Sequence, residues 1–317
     1  MKIAILDGAT LNPGDNPWDA LKQFGELLLY PRTAPELVVE RARDAEIIVT
    51  NKTKLTADLL AKLPKLRFIA VTATGYNVVD IEAARARKIP VSNVPIYGTE
   101  SVAQFTFALL LELCHHVGTH SLAVYAGEWS KSADFSFWKS PQQELSGLTF
   151  GVVGFGRIGR KVAELAHAFG MRVIASSARE AKAPTYESFA WRSARELFSE
   201  ADVISLHCPL TAENAGFVNS EVLGVMKRSA FLINTARGGL VNERHLADAL
   251  NAEKIAGAAV DVVSEEPIVK DNPLLSAKNC IITPHMAWST VAARRRLMQT
   301  TADNIASFLS GRPVNIV

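Results

Sequence analysis

What this chain lacks narrows its function first. It has only three cysteines, Cys114, Cys208 and Cys280, far apart and odd in number. They fit neither a disulfide framework nor the paired spacing of a zinc site, so no metal is expected and a reducing, cytoplasmic setting is. Charge of one sign is missing too. Against 34 Lys and Arg stand 32 Asp and Glu, a formal net charge of +2. Without a basic stripe, nucleic acid is not an expected partner. Long hydrophobic runs are also absent. The most apolar segment, VAQFTFALLLELC from Val102, is broken by Gln104 and Glu112 and is too short to cross a bilayer. It reads as a buried helix opened by a Ser101–Gln104 capping box, and no membrane association is expected. The opening MKIAILDG has the pattern of a strand and not of a signal peptide.

What is present is 317 residues, 48% hydrophobic and 21% charged, enough for two cores. Up to residue 93, strand and helix patterns alternate: strands over 2–6, 26–30, 47–50, 67–71 and 91–93, helices over 18–24, 35–42, 56–63 and 79–87. A second series follows, with strands over 149–153, 172–175, 202–206, 231–234, 256–260 and 281–283. A helix over 158–169, closed by Gly170, lies within it, and a last helix covers 290–309. Such alternation predicts an α/β fold of parallel sheets covered by helices on both faces. Between the two series lies an irregular stretch, YAGEWSKSADFSFWKSP, which exposes Trp129, Phe135, Phe137 and Trp138. That much aromatic area must be buried, on its own domain or, the preferred reading, against a second subunit. The histidines His115, His116 and His120 mark a helix end or interface better than a metal site.

Gly154-Phe155-Gly156-Arg157-Ile158-Gly159 fits G-x-G-x-x-G, and it follows an apolar strand and opens an amphipathic helix. Gly154 permits the tight turn, Gly156 the approach of a pyrophosphate, and Gly159 close helix–strand packing. The helix N-terminus at Arg157 and Ile158 supplies amides to the phosphates. An acid is expected about 20 residues past the first glycine, to hold a ribose hydroxyl. Ser176 and Ser177 stand there, Arg179 follows, and the first acid, Glu180, comes late. Ser177 removes the repulsion that a carboxylate would exert on a 2′-phosphate, and Arg179 could grip that phosphate. NADP is the preferred reading. NAD, with the serines on a bare ribose and Arg179 in solvent, is the alternative.

Ligands of open α/β sheets bind beyond the carboxyl ends of the strands. Three such ends carry reactive residues: Arg237 in NTARGGLVNE, Asp261, Glu265 and Glu266 in DVVSEEP, and His285 in PHMAWST. Singly each has a bland explanation, as a carbonyl cap, surface charge or turn histidine. Together, beside a dinucleotide turn, they compose a catalytic constellation.

The stretches GFGRIG, HCPLT, NTARGGLVNE, DVVSEEP and TPHMAW resemble the signatures of the D-isomer-specific 2-hydroxyacid dehydrogenases, and the resemblance covers nearly the whole chain. LDGATLNPGD, TNKT, TATGYNVVDIEAA and VPIYGTESVAQF are similar to the glycerate dehydrogenase/hydroxypyruvate reductase branch. The resemblance implies two doubly wound parallel-sheet domains. A flavodoxin-like substrate domain would take residues 1–98 and 288–317, and a Rossmann cofactor domain 99–287. It implies a homodimer joined through the long helix and the aromatic loop, with Trp138 a candidate to reach the neighbour's site. The reaction implied is NAD(P)H-dependent reduction of hydroxypyruvate or glyoxylate to D-glycerate or glycolate.

In that reaction His285 would be the general acid, Glu266 would hold its other ring nitrogen, and Arg237 would bind the substrate's carboxylate and carbonyl oxygen. By the same resemblance, the amides of Thr74, Gly75 and Tyr76 would cradle the carboxylate, and Trp288 would line the substrate pocket. Val102, His207, Cys208, Pro209, Asn214, Thr235 and Ala236 would line the cofactor, and Asp261 would hold its carboxamide. Asn214 departs from the threonine common in the family, which puts that contact in doubt. Two rivals stay open: a dehydrogenase for another 2-hydroxy acid, and a dinucleotide-sensing binding protein like the C-terminal-binding-protein corepressors, which keeps the same trio.

Overall fold

The computed structural model of the chain describes residues 1–179, 182–186 and 188–317. It divides into two compact units, one of residues 1–98 and 289–317 and the other of residues 99–288.

The first unit is built on β1 (Lys2–Ile5), β2 (Glu26–Leu29), β3 (Ile47–Thr50), β4 (Phe68–Val71) and β5 (Val91–Ser92). They form one parallel sheet in the order β2-β1-β3-β4-β5. Every residue of β3 and β4 is buried, as expected of strands covered on both faces. The helices are α1 (Gly8–Leu11), α2 (Asp19–Lys22), α3 (Val38–Ala42), α4 (Ala57–Ala61) and α5 (Ile81–Ala86). The helix expected over 18–24 shrinks to α2 because the chain must turn at Gly25, φ 152°, where a Cβ would lie 2.3 Å from the Met1 carbonyl oxygen. Helices α4 and α5 begin one residue after their caps: Thr56 accepts the Leu59 amide and Asp80 the Ala83 amide. Beyond β1, the buried Asp7 carboxylate accepts the amides of Asn51, Lys52 and Thr53, which fixes the TNKT loop after β3.

The second unit opens with α6 (Thr99–His115) and α7 (Val117–Tyr125) and continues through β6 (Thr149–Val153), α8 (Arg157–Ala168), β7 (Arg172–Ser176), β8 (Phe189–Trp191), α9 (Ala194–Glu200), β9 (Val203–Leu206), α10 (Ser220–Gly224), β10 (Phe231–Asn234), α11 (Glu243–Asn251), β11 (Gly257–Val260) and β12 (Cys280–Ile282). The seven strands run parallel in the order β12-β11-β10-β9-β6-β7-β8. The chain winds outward from β6 to β8 and returns to β9 on the other side of β6. That reversal opens a crevice at the carboxyl ends of β6 and β9. The first unit is completed by α12 (Val291–Leu309), whose Phe308 stacks on Phe68 of β4 with ring centroids 4.4 Å apart.

Two further expectations are corrected here, at Ser101 and at Phe137. The Ser101–Gln104 capping box does not form: α6 starts at Thr99, Ser101 lies inside its first turn, and its hydroxyl donates to the Ala287 carbonyl at 2.6 Å. Residues 117–125 form a second helix, α7, after a left-handed break at His116, φ 46°. In the aromatic stretch Phe137 is half-buried, whereas Trp129, Phe135 and Trp138 are exposed. Strand β8 was not foreseen. Its three residues carry no alternation to read, and Phe189 and Trp191 are held by packing on Phe155, each with centroids 5.2 Å away. Among the described residues, no helix is long and apolar enough to cross a membrane.

Candidate active site

Strand β6 runs into Gly154, φ 94°, where a Cβ would sit 2.5 Å from the Cys208 amide nitrogen. The connector after β9 therefore rests directly on the glycine turn. At Gly159 a Cβ would lie 2.1 Å from the Gly154 carbonyl oxygen, so helix and turn pack backbone to backbone. Gly156 is different. A Cβ there would meet nothing within 4 Å, and no side chain caps the helix it opens. The first turn of α8, with Arg157 and Ile158, thus has amides without intrahelical partners, the kind of donors that bind anions at a helix start.

At the neighbouring strand end, the Ser176 carbonyl accepts the Gly154 amide at 2.8 Å. Ser177 is half-buried and Arg179 exposed. Arg160 of α8 donates to the Lys182 carbonyl at 3.1 Å, which ties this loop back to the cofactor helix. Glu180 lies outside the described residues.

The rim after β9 is polar. His207 donates its amide to Val153 and shares a 2.8 Å hydrogen bond with the Ser205 hydroxyl through Nε2. Burial pushes the His207 imidazole down to about 3, so the ring is neutral. Burial also raises the Cys208 thiol, which is no nucleophile there. Asn214 accepts the Thr211 amide at 2.7 Å and donates to the Pro209 carbonyl at 2.8 Å, so its side chain serves its own turn. Thr235 pairs with Thr106 of α6, whose hydroxyl in turn donates to the Val102 carbonyl.

Three parallel strands place the candidate trio side by side. After β10, the buried Asn234 side chain accepts the Ala236 amide and donates to the Arg237 carbonyl, shaping the turn that exposes Arg237. At Gly238 a Cβ would lie 1.9 Å from the Val263 carbonyl carbon, so this turn lies against the connector that bears Glu266. Glu266 accepts the Val263 amide with one oxygen and pairs with His285 Nδ1 through the other at 2.6 Å. Both side chains are about one-third exposed, at 35% and 32%. His285 has a left-handed backbone, φ 53°, and its amide donates to the Asp261 carbonyl. The Asp261 carboxylate, 1% exposed, accepts the Thr283 hydroxyl and the Met286 and Ala287 amides. Burial raises this carboxyl above its ordinary range against the pull of those donors. Asp261 therefore holds the His285 loop, a role its position alone did not disclose.

The remaining predicted residues lie as follows. Trp288 closes the second unit, and Thr74, Gly75 and Tyr76 belong to the first. There the turn after β4 is pinned by Thr74 Oγ1 to the Val94 carbonyl and by Asn93 to the Thr74 carbonyl. Among the described residues, the amides of Thr74, Gly75 and Tyr76 donate to no backbone carbonyl. Of the histidines at the start of α7, His120 spends both ring nitrogens, on the His116 carbonyl and the Lys139 amide.

Sequence reasoning missed Asn234 and Glu243, which shape the connectors without displaying reactive groups. The signal was their place, at the two ends of the NTARGGLVN–E stretch that also holds Arg237.

Residues 107–287 match the family described as D-isomer specific 2-hydroxyacid dehydrogenase, NAD binding domain. A hydroxypyruvate reductase of Blautia hydrogenotrophica is 48% identical over 100% of this chain and 99% of its own length. A glycerate dehydrogenase of Methylorubrum extorquens is 37% identical over 100% and 98%. Among solved structures, the TT0316 protein of Thermus thermophilus superposes with a TM-score of 0.86 at 33% identity, covering 100% of both chains. With a glycine turn, an Arg, Glu and His at successive strand ends, and these relatives over its full length, the chain belongs to the D-isomer-specific 2-hydroxyacid dehydrogenases, oxidoreductases that use a nicotinamide dinucleotide.

Proposed function

We propose that the chain reduces a small 2-oxo acid, hydroxypyruvate or glyoxylate, to D-glycerate or glycolate with NADPH, and that His285 is the general acid. The observation that carries this reading is the 2.6 Å pair between His285 Nδ1 and Glu266 Oε2 at the end of two parallel strands. The full-length relatives named for hydroxypyruvate reduction and glycerate dehydrogenation support the substrate class.

When bound, the reduced nicotinamide supplies the hydride to C2 of the acid. The chain's own residues do the rest. Arg237 is exposed and presents a planar fork for the carboxylate and carbonyl oxygens. The amides of Thr74, Gly75 and Tyr76, in the first unit, are candidate further donors for the carboxylate, and Trp288, in the second, is a candidate contact for the substrate. Glu266 keeps Nδ1 of His285 protonated, so the proton transferred to the substrate oxygen leaves from Nε2. After transfer the ring is neutral and still held by Glu266. Asp261 Oδ2 accepts the Ala287 amide and keeps a lone pair for the nicotinamide carboxamide.

In this reading the second unit is the cofactor domain and the first the substrate domain. Ser177 and Arg179 take the 2′-phosphate. The three free cysteines suit a cytoplasmic setting. Leu122 and Tyr125 of α7, 71% and 87% exposed, join Trp129, Phe135 and Trp138 as the face of a homodimer.

The test is initial rates of hydroxypyruvate and glyoxylate reduction with NADPH and with NADH, in the wild type and in Arg179→Ala. The expected result is a kcat/KM preference for NADPH of roughly tenfold or more, as a charge-assisted phosphate contact provides, lost in Arg179→Ala. An NADH preference overturns the phosphate site. No turnover of either acid, with NADPH still bound, overturns the substrate and favours a dinucleotide-sensing protein.

A further inference from the structure

Glu266 rides on the loop from Asp261 to Asn272, between β11 and the short 3-10 turn Pro273–Ser276. A loop of that length does not aim a carboxylate by itself. Glu243, the first residue of α11, crosses its base. One carboxylate oxygen accepts the Ser264 amide at 2.6 Å. The other accepts the Ser264 hydroxyl at 2.8 Å and the Asn272 side-chain amide at 2.9 Å. Ser264 stands on the outgoing leg and Asn272 on the returning one, so a single carboxylate fastens both. Asn272 is buried, and its oxygen accepts the Leu274 amide, which anchors the far leg.

The simplest account of an acid at a helix start is its favourable interaction with the helix dipole. That account leaves the geometry unexplained. Asn242 already caps α11, by accepting the His245 amide at 3.1 Å. Both oxygens of Glu243 point away from their own helix into the neighbouring loop. Charge-assisted bonds of this kind are about twice as strong as neutral ones. The same connector carries Arg237, and its Gly238 lies on the Val263–Ser264 peptide. Arg237 and Glu266 are thereby referenced to one rigid piece of backbone.

We propose that Glu243 is a positioning residue for the reaction: by clasping both legs of the Glu266 loop, it aims the Glu266 carboxylate at His285. This rests on the reading of His285 as the general acid. Glu243 touches neither substrate nor cofactor, and its effect passes through Glu266. A glutamine keeps the size but puts an NH2 group against a loop amide donor, so Glu243→Gln breaks the clasp without opening a cavity.

The experiment is a double-mutant cycle on hydroxypyruvate reduction with Glu243→Gln and Glu266→Gln, alongside the NADPH Kd and the Tm. Misplacing a reacting group by about 1 Å can cost on the order of 100-fold. Glu243→Gln is expected to lower kcat by roughly 10- to 100-fold, with the keto-acid KM and the NADPH Kd within about threefold of wild type. In the Glu266→Gln background it should cost less than about threefold, because the group it aims is already gone. Ser264→Ala, which removes one bond of the clasp, should show the same pattern at about threefold and decides the matter if Glu243→Gln fails to fold. An unchanged kcat in folded Glu243→Gln overturns the proposal. So does an equal loss in both backgrounds, or a loss confined to KM or Kd. A His285→Ala enzyme with normal turnover would instead sink the general-acid reading, whatever Glu243 does.

Discussion

His285 is held at three points: its ring by Glu266, its amide by the Asp261 carbonyl, and its loop by the Asp261 carboxylate. A left-handed non-glycine backbone costs of the order of 1–3 kcal/mol and persists where its surroundings over-determine it, as these bonds do. Arg237 is constrained differently. Its turn is fixed by Asn234, while among the described residues its guanidinium makes only an Nη1 bond to the Ala236 carbonyl at 2.7 Å. The fork is therefore free for a planar ligand. Arg237→Lys, which keeps the charge and loses the fork, should raise the keto-acid KM and lower kcat, with kcat/KM down at least tenfold; steady-state kinetics showing wild-type saturation would remove Arg237 from the carboxylate site. His207 makes a prediction about pH. The fold holds its ring neutral down to about pH 3, while in the unfolded chain it titrates near its ordinary value of 6.5. As pH falls through that window the unfolded state takes up a proton that the folded state refuses, so stability is full above 6.5 and declines below it. Thermal melts from pH 7 to 5 should show this decline, and His207→Asn should flatten it.

At the scale of elements, the two glycine contacts explain why the connectors after β6 and β9 lie together. Gly154 admits the Cys208 peptide and Gly159 admits the Gly154 carbonyl. In both cases the obstacle to a side chain is backbone, which cannot swing aside. Gly159→Ala should cost about 1–3 kcal/mol of stability by overpacking and weaken cofactor binding at least tenfold, measured by melting and by fluorescence titration. The same clash shows what a sequence discloses at this scale. The glycine turn was legible because its spacing has a mechanical reason. The strand ends were legible because parallel β-strands are apolar runs that stop at functional loops. Helix α7 and strand β8 were not. The first is hidden by the histidines that break it from α6, and the second is a three-residue edge held by aromatic packing rather than by its own pattern. The clasp made by Glu243 was invisible for a related reason, since its partners Ser264 and Asn272 are 21 and 29 residues away.

For the whole molecule, the two sheets carry different work. The first unit has the strand order 2-1-3-4-5 of flavodoxin-like folds, and the second contains the Rossmann order with an added edge strand, β12, whose outgoing loop bears His285. That added strand extends the dinucleotide sheet by one more carboxyl end. It is what lets a histidine from the last connector meet a glutamate from the one before. The exposed apolar face of α7 belongs to this scale as well. If that face joins the proposed homodimer, Leu122→Asp places a charge at its centre, and sedimentation should find a dimer for the wild type and monomers for the variant. An unchanged sedimentation coefficient would move the subunit contact elsewhere. Phe135, 90% exposed, is the most exposed side chain of that proposed face.

The central claim is that His285, oriented by Glu266, gives the proton. Its most direct test is the rate of hydroxypyruvate reduction by His285→Ala at saturating cofactor, with cofactor affinity measured on the same protein. A positioned general acid contributes roughly 10²–10⁴-fold, so kcat should fall by that order while cofactor affinity stays at the wild-type value. Turnover at the wild-type rate would contradict the account and leave the 2.6 Å pair a structural contact.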